Sequence, residues 1–312
     1  MLQWRVRHRH RARLLRAPAA AAQRRREEEA AGVNAAVAAD ARDLFAAAQH
    51  CLDARDPDTK VALTHAYARR FSAGELPIDP AAPAPAPIRM PGRPERPRLV
   101  HPRALPRRGF GSTEGRAAFI HAIAHIELNA IDLGWDAVYR FRELPPGYYA
   151  DWVRVADDEA RHFVLLRDRL RALGFDYGAF DAHNGLWEMC EKTAHDGMAR
   201  MALVPRVLEA RGLDVTPGMI VKLRSLGDTD TVAILELILH EEVAHVAAGS
   251  RWFRWFCARR ELEPDATFRA LLADYARAVL HGPFNLDARV AAGFSEEELA
   301  ALQAVDAERT QA

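Results

Sequence analysis

The chain reads as an all-α protein whose main domain is a bundle of four long helices, with a helical extension before it and further helices after it. Three observations predict this. Beyond residue 112, apolar residues recur at helical spacing, with almost no strand-like alternation. Residue types that start and stop helices divide the same region into four long segments. Glutamates and histidines also sit in the middle of apolar helical faces, where an ordinary amphipathic helix carries none.

The chain has 312 residues, room for one large domain or two ordinary ones, and 49% of them are apolar, enough for a sizeable core. No stretch approaches the roughly 18 apolar residues of a membrane helix. The longest apolar segments carry Glu, His or Arg within two turns, so a membrane partner is not expected. Formal net charge is zero but unevenly placed: nine Arg lie between Arg5 and Arg26, with no acid among residues 1–26. Residues 1–34 are low in complexity, end near RRREEE, and are expected to be a disordered basic tail. Such a tail can contact nucleic acid or an anionic surface. Its Arg content loosely matches an organelle transit peptide, but the Ser content of one is missing. Cys51, Cys190 and Cys257 are odd in number, far apart and form no C-x-x-C pair. That argues against a disulfide framework and a thiolate metal site, and fits a reducing cytoplasm. Each reads as a small buried residue.

Residues 35–76 predict two short helices, AAVAADARDLFAAAQHCLDA and TKVALTHAYARRFSAG, separated at Asp56-Pro57-Asp58 and closed by Gly74. Residues 77–111 are dominated by Pro, which fixes φ and lacks a donor, and form an extended strap. The bundle occupies residues 112–262. Its first helix starts at Ser112-Thr113, which can cap it, and runs to about Phe141. The sequence Glu143-Leu144-Pro145-Pro146-Gly147 breaks it, and a second helix follows to Leu173, closed by Gly174. The third is expected from Leu186 to Ala210, kinked at Pro205 and ended by Gly212. The fourth begins at Asp228-Thr229-Asp230 and runs through Arg260. Residues 263–312 add a helical cover: a helix over Asp265–Leu280, the irregular HGPFNLDAR, and a short helix capped by Ser295.

Candidate metal ligands emerge from the faces. Glu127 shares its face with Ile120, Ile123, Ala124, Ala130, Ile131 and Gly134. Glu159 has Trp152, Val155, Ala156, Phe163 and Leu166 beside it, with His162 one turn on. Glu242 has Leu235, Ile238, Leu239, Val246 and Gly249, with His245 one turn on. A carboxylate buried among apolar groups is costly unless it neutralises or shares a cation. Glu159-x-x-His162 and Glu242-x-x-His245 each put two ligands on one helical face. Each is preceded by an inward Glu on the previous helix, at matching intervals: 32 residues from Glu127 to Glu159 and 33 from Glu209 to Glu242. Two antiparallel hairpins that set their ligands at one height need such a near-repeat. Four carboxylates and two imidazoles from four helices form the arrangement that holds two iron or two manganese ions, and mixed ligation of this kind suits those metals better than calcium or magnesium.

Glu209 has the least apolar face, with Met201, Ala202, Pro205, Arg206 and Gly212 around it. Glu191 competes on the same helix but would lie roughly 27 Å away. His125 is about 160° around its helix from Glu127 and is expected to face a neighbouring segment rather than a metal. Asp158 and Glu241, each preceding a ligand Glu, are candidates for orienting the histidines. Asp132, Tyr148, Tyr149 and His195 are candidates for an access path. The RWFRWF run, Arg251 to Phe256, interleaves aromatics with Arg, a pattern that can stack bases, though its place at the end of a helix favours packing.

The segments FIHAIAHIELNAIDLGWDAVYRF, ADDEARHFVLLRDRL, MALVPRVLEARGLDVTP and LELILHEEVAHVAAGSRWF resemble those of a bacterial family of ferritin-like proteins, domain of unknown function 455. The resemblance covers most of residues 35–300 and includes all six candidate ligands. It implies a ferritin-like fold and metal binding, and supplies no substrate. A more distant fold-level similarity reaches di-iron hydroxylases of modified transfer RNA and manganese catalases. The function expected is a cytoplasmic di-iron or di-manganese oxidoreductase acting on O2 or peroxide and a small-molecule substrate, as a monomer or small homo-oligomer. A non-catalytic metal-binding protein of ferroxidase type and an RNA-modifying hydroxylase are the alternatives.

Overall fold

The computed structural model describes residues 40–106, 109–276 and 282–311. The expected tail of residues 1–34 lies outside them. The described chain is all-helical; its nearest approach to a sheet is an isolated bridge between Leu99 and Ala182. None of the described helices is long and apolar enough to cross a membrane.

The chain opens with a short hairpin. Helix α1 spans Leu44–Asp53 and is capped by Asp43, whose carboxylate accepts from Phe45 N and Ala46 N at 2.8 and 2.9 Å. Residues 35–39 of the expected first helix lie outside the described ones; after a break at residues 41–43 the cap fixes where this helical ladder begins. Helix α2, Pro57–Ser72, starts at Pro57 behind the Asp56 cap, and Gly74 at φ +76° follows its end. Lys60 is buried on this hairpin and donates to the Asp132 carboxylate and, at 2.8 Å, to Cys51 O. That ion pair fastens the hairpin to the helix beneath it. The described part of the strap that follows is extended apart from turns, among them Asp79–Ala82 and Pro102–Ala104. Val100 N donates to Ala182 O and Trp187 Nε1 to Arg89 O, both at 2.8 Å, so the strap is bonded along its length.

Helix α3, Thr113–Arg140, is capped by Ser112 as expected. Every residue from Glu127 to Tyr139 is buried, which makes this half of α3 the axis of the molecule. Helix α4, Pro146–Ala172, packs along it after the Pro145-Pro146 break. The two approach most closely at Gly134, where an added Cβ would lie 3.0 Å from Ala156 Cβ and 3.2 Å from Trp152 O.

The third long segment differs from expectation. Helix α5, Gly185–Lys192, stops, and a new helix α6, Gly197–Leu203, begins at an Asp196 cap. A wide π-helical turn, Val204–Glu209, then leads into α7, Ala210–Ser225. Pro205 is absorbed by the wide turn instead of kinking an α-helix, since the turn relaxes the clash of its ring with the preceding turn. The helix also continues through Gly212. Beyond it Asp214 is buried and bound by Arg289 at 2.7 and 2.9 Å, a tertiary pairing that outweighs the weak helix preference of glycine. Helix α8, Thr229–Arg259, capped by Asp228, closes the set. It packs against α4, α6, the π turn and α7.

The end of the chain forms α9, Pro264–Leu271, a π turn at Leu272–Ala276, α10, Leu286–Ala291, and α11, Glu296–Gln311. The helix expected to run to Leu280 leaves α geometry at Leu272, and part of the segment read as irregular is helical as α10. This cover is anchored by Arg206. Its guanidinium lies 4.8, 4.3 and 4.4 Å from the ring centroids of Phe253, Phe268 and Phe294 and donates to Glu298 at 2.6 Å. Trp252, Phe253 and Phe256 of the RWFRWF run are buried, and Phe253 stacks edge-on against Phe268. Those three rings belong to the core.

Asp136 ties α3 to α6. It is fully buried, accepts from Arg140 Nε at 3.0 Å and pairs with Arg200, itself 1% exposed. Burial alone would raise its pKa, but the two guanidiniums outweigh burial and hold it below the ordinary carboxylate value. A depressed folded pKa stabilises the protein above the unfolded value of 3.8 and loses that contribution as pH falls through the folded value. Asp136→Asn should therefore cost about 3 kcal/mol or more at neutral pH. Urea denaturation of both proteins should show the same gap at pH 7 and pH 5, narrowing only below the ordinary carboxylate range. A gap that closes already at pH 5 would show that the pair is not the cause.

Candidate metal centre

The centre is built from four helical segments. Helix α3 contributes Glu127, α4 contributes Glu159 and His162, the π turn ends on Glu209, and α8 contributes Glu242 and His245. Glu127, Glu159, His162, Glu242 and His245 are all buried. Ligand-type atoms of Glu127, Glu159, His162 and Glu242 lie within 4.8 Å of one another, so this group could hold a metal ion. His162 Nδ1 is 3.2 Å from Glu127 Oε2 and 3.6 Å from Glu159 Oε2. His245 Nδ1 is 3.0 Å from Glu159 Oε1 and 3.7 Å from Glu242 Oε1. Glu159 thus stands between the two imidazoles. Glu209 lies outside the tight group of four; it is half-buried as a residue, but its Oε2 is buried and unpartnered.

The outer nitrogens of the two histidines are held crosswise. His162 Nε2 donates to Glu241 at 2.6 Å, and His245 Nε2 donates to Asp158 at 3.2 Å. The acid preceding each motif's glutamate therefore holds the histidine of the other motif. Arg161 joins the two braces, donating to Asp158 at 2.7 Å and to Glu241 at 2.9 Å. Each brace fixes its ring with Nε2 protonated and Nδ1 turned inward, the tautomer a metal ligand needs. Asp158 and Glu241 were legible as neighbours of the ligands. Arg161 was not, because its position inside Glu-x-x-His carries no signal until α4 and α8 are side by side.

The protonation pattern follows from crowding. Burial pushes Glu127 well above the ordinary range, and the adjacent Glu159 carboxylate pushes it further. Burial would raise Glu159 too, but the Glu127 carboxyl and the His162 and His245 imidazoles, close to it though outside hydrogen-bond geometry, outweigh burial and keep Glu159 ionised. Glu209 and Glu242 are raised, first by burial and then by neighbouring carboxylates. Burial opposes protonation of His162, yet its bond to Glu127 and the nearby Glu159 carboxylate raise it to about 11. His245 is raised for the same reason through Asp158, Glu159 and Glu242. Protons do here what a cation would do. Even so, Glu159 Oε1 and Oε2, Glu209 Oε2, Glu242 Oε2 and His245 Nδ1 are buried without a hydrogen-bond partner. Buried oxygens of this kind ordinarily find partners, and a cation among them supplies what the protein does not. The residues present fit a metal.

The remaining candidates fall elsewhere. His125 accepts from Tyr177 Oη at 2.7 Å and donates to His183 O at 3.0 Å; burial lowers its pKa to about 3, and it is a neutral packing residue facing the segment after α4. Glu191 is exposed and apart from the cluster, and the chain break after α5 removes the straight-helix distance expected for it. The proposed access residues are not on the path. Asp132 pairs with Lys60, Tyr148 and Tyr149 bond to Ala137 O and Phe141 O, and His195 is exposed. A cavity does reach the centre, from the side of α5 and α7, touching Glu127, Glu159, Glu209 and Glu242. All three cysteines are buried and free, and burial pushes the Cys51 thiol up to about 12.

A family model described as protein of unknown function (DUF455) matches residues 53–300, most of the chain. The chain belongs to this family. A relative from Haemophilus influenzae, described as an uncharacterized protein, is 48% identical over 213 residues, 66% of this chain and 74% of the relative. No solved structure matches the chain. All six candidate ligands and the three bracing residues of this DUF455 member lie within the matched span.

Removing a brace should weaken metal binding without removing a ligand. Glu241→Gln and Asp158→Asn are each expected to lower metal affinity by roughly 10–100-fold, with helical content unchanged. Competition against a chromophoric chelator measures this directly. Affinities equal to wild type would mean that the histidines are held by something else.

Proposed function

We propose that this DUF455 member is a di-iron or di-manganese carboxylate oxidoreductase, built on a ferritin-like four-helix bundle in residues 112–262, that uses O2 or peroxide to oxidise a small-molecule substrate in the cytoplasm. In this reading residues 35–76 and 263–312 cover the bundle and residues 77–111 strap it. One observation carries the proposal: four glutamates and two histidines converge in a buried place where several carboxylate oxygens have no partner. Excess buried acid is destabilising unless protons or metal ions neutralise it. Carboxylate and imidazole together select redox-capable first-row metals over calcium or magnesium.

Glu127, Glu159 and His162 would hold one metal, and Glu209, Glu242 and His245 the other, with glutamates shared between them. When bound, such a metal pair supplies the electrons and open positions for reaction with O2 or peroxide. The chain's own residues do the rest. Asp158 and Glu241 fix the imidazoles and Arg161 couples the braces. The cavity brings an organic molecule to the same carboxylates, which supports an enzyme over a storage protein.

Elemental analysis of the purified protein, beside a Glu159→Ala/Glu242→Ala double variant, tests the reading. About two iron or manganese atoms per chain are expected, absent from the variant, together with metal-dependent consumption of O2 or peroxide. A wild-type protein that stays metal-free after anaerobic reconstitution with Fe(II) and Mn(II) would show the buried glutamates to be structural. Metal binding with no consumption of either oxidant under any reductant would leave a binding protein and remove the oxidoreductase.

A further inference from the structure

The cavity beside the centre has a volume of about 470 Å³. Pockets of ~300–1,000 Å³ hold drug-sized molecules, so this space far exceeds the need of O2 or peroxide. Its apolar walls come chiefly from five segments. Ile123 lies on α3, Met189 on α5, Val207 on the π turn, Met219 on α7, and Leu235 and Ile238 on α8. The polar residues around it fall into three groups. Glu127, Glu159 and Glu242 are buried and mark the floor. Asp214 and Arg289 are bonded to each other through Arg289 Nε and Nη2, which leaves Nη1 as a single unspent donor on that side. Of the others, the half-buried Glu209 belongs to the floor and the half-buried Thr216 to the wall, while the exposed Glu188 and Lys192 mark the rim, as does Ile126 at 44% exposure.

This distribution separates ligand classes. A sugar, nucleotide or free amino acid would leave its polar groups against an apolar wall, each unmade hydrogen bond costing about 1–3 kcal/mol. A hydrated metal ion moving to a storage site would meet the same wall at greater cost, because its hydration shell has no replacement there. A hydrocarbon chain or ring system gains instead, at about 25 cal/mol for each Å² removed from water. We infer that the cavity is the binding site for a predominantly apolar small organic molecule, seated with its apolar body along α7 and α8 and any polar end at the Lys192 rim. Only what happens at the floor rests on the oxidoreductase reading; binding itself does not.

The test uses the purified full chain and the neutral fluorescent probe N-phenyl-1-naphthylamine. Saturable binding of one probe per chain is expected, displaced by decanol and not by glucose or AMP. Met219→Trp and Thr216→Phe place bulk at two wall positions and should each weaken the probe at least 10-fold. Val221→Trp, on the same helix but 65% exposed and off the cavity wall, should leave binding unchanged. Circular dichroism and metal content of every variant separate a filled cavity from a damaged fold, and two wall positions guard against one failing to fold. Absence of saturable binding, wall variants that bind like wild type, or displacement by glucose or AMP would each overturn the inference. The two readings fail separately. Protein that holds metal but not the probe removes the substrate class, and protein that holds the probe but no metal keeps the apolar site and removes the oxidoreductase.

Discussion

Five buried ionisable side chains, with the half-buried Glu209 beside them, govern the rest of this structure. Taking a carboxylate out of water costs several kcal/mol unless something compensates, and Glu127, Glu159, Glu209 and Glu242 are brought together with only two imidazoles inside. Helices carrying such a set must be held against their own repulsion. The holding is visible on every side. Half of α3 is buried all round, Gly134 lets α4 lie against it, and Gly249 lets α8 approach the π turn so closely that a Cβ there would overlap Pro205.

The buried charges away from the centre follow a different rule. Asp132 has Lys60, Asp136 has Arg140 and Arg200, Asp214 has Arg289, and Glu298 has Arg206. Each acid is matched by at least one cation of its own, so charge is balanced there and the pairs lock segments in place, although Arg206 Nη1, Arg289 Nη1 and Glu298 Oε1 lack a hydrogen-bond partner. At the centre acids outnumber bases, and the imbalance persists after the outer pairs are counted, because Arg161 neutralises Asp158 and Glu241 rather than the inner glutamates. The same protein thus shows buried acids each matched by a cation beside a cluster of acids that is not. That contrast is a stronger guide than burial or pKa taken alone.

Most of the centre was legible because periodicity and spacing are local properties. Glu127, Glu159 and Glu242 stood out on apolar faces, and the paired Glu-x-x-His motifs fixed the histidines. Glu209 was legible only through the matching 32- and 33-residue intervals. The caps at Ser112 and Asp228 and the stop at Gly174 were also local and fell where the residue types put them. What escaped depends on partners far along the chain. Arg206 reads as one more arginine until Phe253, Phe268, Phe294 and Glu298 surround it. Lys60 reads as surface until Asp132, 72 residues away, receives it. Gly212 reads as a stop until the Asp214–Arg289 pair holds the helix beyond it. The cavity, lined chiefly from five segments, has no signature in any one of them.

The wide turn at Val204–Glu209 joins these levels. Pro205 has no N–H to give and its ring crowds the preceding turn of an α-helix; the looser π turn accommodates both, and Gly249 clears the space opposite. The consequence reaches the site. Val207, Leu208 and Glu209 border the cavity, while Arg206, just before them, turns away into the C-terminal cover. The segment that leaves α geometry thereby carries an apolar wall, a carboxylate beside the candidate metal centre and an anchor for the last helices.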